Sequence, residues 1–98
     1  MNALKNDNLD YTTEEIQYFV DNYLNRIKLT DQVELRKQIA SEMGRSNGAI
    51  SWKCKHALWF LTNGEEGKPN GPKYLATYLK EYQKENSMSA AKMAYWFE

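Results

Sequence analysis

Residues able to do nucleophilic or acid–base chemistry are few, and their spacing does not suit it. Cys54 and His56 are the only cysteine and histidine among the 98 residues. Two positions apart on a helix, they point to different sides, so a nucleophile–base dyad fails on geometry. A zinc site needs three or four thiolate or imidazole ligands, and a single chain with one of each cannot supply them. Glu14-Glu15 fits a helix start and Glu65-Glu66 a solvated loop. Gly64, Gly67 and Gly71 lack the strand-to-helix context and the Lys-Ser/Thr ending of a phosphate loop. The expectation is no enzyme, no cofactor and no metal.

What remains is charge. The net charge is zero, but it is unevenly spread. Residues 1–25 carry Lys5 against Asp7, Asp10, Glu14, Glu15 and Asp21, a net −4. Residues 36–56 carry Arg36, Lys37, Arg45, Lys53 and Lys55 against Glu42, a net +4. The remaining segments balance. Such a focus suits either an ordinary solvated helical hairpin or a surface that meets polyanions.

The elements that must position these residues are helical. Thr12 with Glu15 has capping-box spacing, and Ile16, Phe19, Val20, Tyr23, Leu24 and Ile27 follow as a helical stripe to about Leu24–Ile27. Thr30-Asp31 caps a second helix carrying Val33, Leu35, Ile39, Ala40 and Met43, closed by Gly44. Ser46 caps a third, with Ile50, Cys54, Ala57, Leu58 and Leu61 on its buried face. Thr62 to Pro72, with three Gly and two Pro, is a loop. A fourth helix runs from Lys73 to about Glu85, with Tyr74, Leu75, Tyr78, Leu79 and Tyr82 on one face. Ser87 or Ser89 caps a short fifth through Met93, Ala94 and Phe97. The class is all-α. The division is a polar, flexible tail at 1–10, a three-helix unit at 11–61, a loop at 62–72 and two further helices at 73–98.

The longest apolar run, Ala57 to Leu61, is far too short to span a membrane. Met1 to Asp10 lacks the pattern of a secretory signal. A lone cysteine fits a reducing compartment, so the expected location is the cytoplasm.

The turn between the second and third helices, about Gly44 to Ser46, is as short as a helix-turn-helix requires. The stripe on the third helix leaves Asn47, Gly48, Ser51, Trp52, Lys55 and Trp59 on its other face, with Lys53 and His56 flanking. A major groove admits one helix, whose first turns meet base edges. Asn can pair with adenine and Lys can reach guanine or phosphate. Arg36, Lys37 and Arg45, near the ends of the second helix and the turn, are placed for backbone contacts. The free amides after Ser46 can meet a phosphate.

Two segments resemble a known family. Tyr11-Thr12-Thr13-Glu14-Glu15-Ile16 resembles the W-T-x-E-E opening of Myb/SANT-like domains, with Tyr in place of Trp. Gln38 to Lys53, with Ile39-Ala40 and Gly44-Arg45-Ser46, resembles the I-A-x-x-L-G-R-T/S stretch of compact Myb-like helix-turn-helix domains in bacterial and phage regulators. The likeness covers residues 11–61. It implies a three-helix Myb-like helix-turn-helix, followed here by two C-terminal helices, binding double-stranded DNA as a small transcriptional regulator. By position it implies a reading face of Asn47, Gly48, Ser51, Trp52 and Lys55, with Arg36, Lys37, Arg45, Ser46, Lys53 and His56 around it. The alternative is a protein-interaction module on a SANT-like scaffold, anchored by Trp52 and Trp59. A packaging or recombination accessory protein with little sequence preference would use the same fold. Tyr74, Tyr78, Tyr82 and the C-terminal helix could form a homodimer, which would lengthen the site read.

Overall fold

The computed structural model describes residues 11–98, and the 1–10 tail lies outside the described residues. It holds five helices and, among the described residues, no strand: α1 Thr13–Arg26, α2 Gln32–Met43, α3 Asn47–Leu61, α4 Leu75–Glu85 and α5 Ala90–Phe97. No described helix is long and apolar enough to cross a membrane.

Local chemistry explains most boundaries. At α1 the Thr12 hydroxyl accepts from the Glu15 amide at 3.1 Å. The Glu15 carboxylate in turn accepts from the Thr12 amide at 3.0 Å. This reciprocal pair satisfies two donors that a helix start leaves open. Asp31, Ser46 and Ser89 cap α2, α3 and α5 in the same way through one side-chain oxygen each. Gly44 ends α2 in the left-handed region at φ 67°, where a Cβ is costly. α4 begins two residues later than the sequence predicts. Lys73 and Tyr74 form a turn, and Tyr74 contributes no side-chain cap.

The apolar stripes of all five helices meet in one buried cluster. Of the residues expected inside, Val33 is instead exposed. It stands two positions before Leu35, about 200° around the helix from it. α5 seals the cluster from the end of the chain. The Phe97 ring stacks on Tyr23 with centroids 4.7 Å apart and lies 6.1 Å from Phe19. The Tyr23 hydroxyl donates to the Trp96 carbonyl at 2.7 Å, and Gln32 of α2 donates to the same oxygen at 3.3 Å. A late carbonyl of α5 is therefore bound by α1 and α2 together.

This packing also answers what the tyrosine-rich face of α4 does. Leu75, Leu79 and Tyr82 are buried, and the Tyr82 hydroxyl donates to Asn25 of α1 at 2.6 Å. Tyr82, with Met93, Ala94 and Phe97 of α5, is buried inside the chain. Tyr74, in the turn before α4, and Tyr95 of α5 are exposed, and Tyr78 is half-buried.

Candidate functional site

The site is built on α3. Ile50, Cys54, Ala57, Leu58 and Leu61 are buried, which fixes the rotation of the helix. Neither α4 nor α5 covers the opposite face. Asn47, Gly48, Trp52 and Lys55 are exposed and Ser51 is half-buried. Trp52 is 47% exposed and Trp59 37%. From Asn47 to Lys55 this face runs nine residues, about 13 Å at the helical rise.

The tip is held by Ser46, whose hydroxyl accepts from the Ala49 amide at 3.1 Å. Ser46 is thus engaged as the N-cap. Gly48 stands in the first turn with open space around it. A Cβ there would meet only the Ser46 hydroxyl, at 3.9 Å. Packing inside the chain gives no reason for a glycine at this position.

The cations are placed less simply than their sequence positions suggest. Arg45 is 2% exposed and is not available to a phosphate. Its Nε and Nη2 donate to the two oxygens of Glu15 at 3.1 and 2.9 Å. Its guanidinium also lies 3.9 Å from the centroid of the Tyr11 ring. Burial pushes the Glu15 carboxyl up. Hydrogen bonds from Arg45 and the Thr12 amide, with the Arg45 charge, outweigh it and hold the carboxyl below its usual range. Glu15 and Arg45 belong to the two segments that carry the family resemblance, so this ion pair joins them.

Arg36 is half-buried, and its charge bears on Tyr23 and Cys54 in the interior. Lys53 is half-buried with its ammonium 4.4 Å from the Tyr11 ring centroid. Burial, with the charge of Arg45, lowers its pKa. Tyr11 thus lies against two cations. Lys37 and Lys55 are exposed. The net +4 of residues 36–56 therefore reaches the surface only in part.

His56 does not flank the open face as its sequence position suggests. It is 6% exposed, and its Nδ1–H donates to the Lys68 carbonyl at 3.0 Å. A carbonyl only accepts, so Nδ1 carries the proton. Cys54 is buried as expected, and burial pushes its thiol up to about 11. A thiol so protonated is a poor nucleophile. No cluster of three His, Cys, Asp or Glu able to hold a metal exists among the described residues.

Sequence reasoning missed the part played by residues 62–72. This loop folds back over the second half of α3. The Lys68 amide donates to the Lys55 carbonyl at 3.0 Å, one residue from the His56 contact. A Cβ on Gly67 would lie 2.2 Å from the Lys55 oxygen, and one on Gly71 would lie 2.8 Å from His56 Cβ. The Trp59 indole packs beside Gly64. The three glycines, read only as loop formers, were the available signal, because glycine also marks close backbone approach. No model of a known protein family, no characterised protein and no solved structure matches this chain.

Proposed function

We propose that this protein binds double-stranded DNA through the N-terminal half of α3, on a Myb-like helix-turn-helix formed by α1, α2 and α3. The two C-terminal helices complete its core. The observation that carries the reading is the open face from Asn47 to Lys55. It is backed by the buried residues of α3, Ile50 and Cys54 first among them, and neither α4 nor α5 crosses it. A major groove is about 12 Å wide and 8.5 Å deep, which accepts roughly two turns of helix. Asn47 supplies a bidentate donor–acceptor pair for adenine, and Lys55 a cation for guanine or phosphate. Gly48 supports the same reading, since its missing side chain serves no contact inside the chain. Trp52 offers an apolar surface beside them, suited to a thymine methyl. Lys37, exposed on α2, is a candidate backbone contact. In a cell this would be a small regulator of bacterial or phage type.

The test is fluorescence anisotropy of a random-sequence duplex at two salt concentrations, followed by selection of a preferred site. Binding should fall steeply with salt. Lys55→Gln should weaken binding to every sequence, whereas Asn47→Ala should weaken it chiefly at the selected site. Equal affinity for random and selected duplexes would favour a packaging or recombination accessory. No binding at low salt would overturn the proposal.

One observation favours a second reading. Arg45 is buried and Arg36 half-buried while Trp52 and Trp59 remain exposed. That balance of charge and aromatic area also suits a protein partner on a SANT-like scaffold. A homodimer through the C-terminal helices would find Tyr74, just before α4, and Tyr95 of α5 exposed.

A further inference from the structure

We infer that the loop 62–72 is a second contact element, and that Lys68 binds a phosphate of the same duplex whose groove α3 enters. The inference rests on the groove-reading proposal and adds to it a residue outside the helix.

Both polar groups of the Lys68 backbone are bound to α3. Its amide donates to the Lys55 carbonyl and its carbonyl accepts from His56 Nδ1, each at 3.0 Å. Gly67 and Gly71 allow this approach, because a Cβ at either would clash with α3. Gly67 also sits at φ 88°, a conformation that side-chain-bearing residues rarely take. The Lys68 side chain remains exposed. An exposed ammonium is therefore carried on backbone pinned beside Lys55, at the end of the reading face. A contact of this kind loses little loop entropy on binding, since the ordering is already made in the free protein. A helix lying in a major groove is flanked by phosphates at the groove's rim, where a cation from an adjoining element can meet them.

The backbone of Glu65 and Glu66 is held at the end of α3. The Glu66 amide donates to the Thr62 hydroxyl at 3.0 Å, and the Glu65 amide to the Thr62 carbonyl at 3.3 Å. Thr62 lies seven residues beyond Lys55, which is about 10 Å along the helix. The loop thus anchors the backbone of Glu65 and Glu66 at the end of α3 and brings that of Lys68 back toward the middle.

Anisotropy over a salt series tests this with the full chain and variants Lys68→Gln, Lys92→Gln and Gly67→Ala. Lys92 is exposed on α5 and controls for the loss of one positive charge. Lys68→Gln should lower the slope of log affinity against log salt by about 0.9, one phosphate contact. It should leave the preferred sequence unchanged, and Lys92→Gln should keep the wild-type slope. Gly67→Ala, which unseats the loop, should lower the slope by a similar amount. Adding Lys68→Gln to it should then change little further. If wild-type protein binds duplex and Lys68→Gln behaves like Lys92→Gln, the role of the loop is overturned and the groove reading stands. If wild-type protein binds no duplex, both fall.

Discussion

The Glu15–Arg45 pair should be among the most costly interactions in the protein to break, and the cost should be asymmetric. Arg45 is 2% exposed, and the side chain of Glu15 retains 21% of its accessible area. Glu15→Gln keeps an acceptor for the Thr12 amide but removes the carboxylate charge that Nε and Nη2 of the buried guanidinium meet. Removing one member of a buried pair costs about 3–5 kcal/mol. The partial exposure of Glu15 and the retained acceptor argue for the low end, about 3 kcal/mol. Arg45→Met removes the buried charge itself and leaves a carboxylate that water can reach. It forfeits the contact with Tyr11 and the hydrogen bonds, about 1–2 kcal/mol. The double variant should then be more stable than the sum of the single losses implies, with a coupling of about 1–2 kcal/mol. Urea unfolding of the four proteins measures the cycle. In thermal melts Glu15→Gln should lose at least about 12 °C, taking 4 °C per kcal/mol as a lower bound for a small domain. A cost below about 1 kcal/mol for Glu15→Gln, with no coupling, would place the pair among exposed salt bridges. The argument from burial would then be wrong.

Three further outcomes are expected. Gly48→Ala should stabilise the fold by up to about 1 kcal/mol, since Ala is the better helix former and its Cβ meets open space. It should at the same time weaken duplex binding, and opposite signs in urea melts and anisotropy would check both halves. Glu15 and Glu42 both have lowered pKa values, Glu42 because Arg26 hydrogen-bonds it against a smaller effect of burial. Their contribution to stability is present above the unfolded value of about 4.3 and is lost as pH falls through the lower folded values. Melting temperature should therefore drop on acidification below about pH 4.3, and less so in the Glu15→Gln and Glu42→Gln variants. Cys54, fully buried, should resist iodoacetamide at neutral pH and react once urea unfolds the chain, as mass spectrometry would report.

Much of the local architecture is written in short-range pattern. Thr12 with Glu15, Asp31, Ser46 and Ser89 cap helices because a hydroxyl or carboxylate can reach an open amide two or three residues on. Gly44 ends α2 because it alone takes the left-handed turn at no cost. The stripe from Ile50 to Leu61 sets which side of α3 faces inward. These effects depend on neighbours in sequence, so they can be read without a fold.

The fate of the charged and aromatic residues depends on distant partners. Arg45 looks like a surface cation until Glu15, thirty residues away, is brought against it. His56 looks like a flank residue until the loop returns Lys68 to it. Tyr82 and Phe97 look available to another chain until Asn25 and Tyr23 meet them. Periodicity marks a residue as lying on a face but does not say what the rest of the chain lays upon that face. Sequence by itself determined the helices, their caps and the inward side of α3. Only the tertiary structure decided which cations remain at the surface, because burial and pairing arise where separate segments of the chain converge.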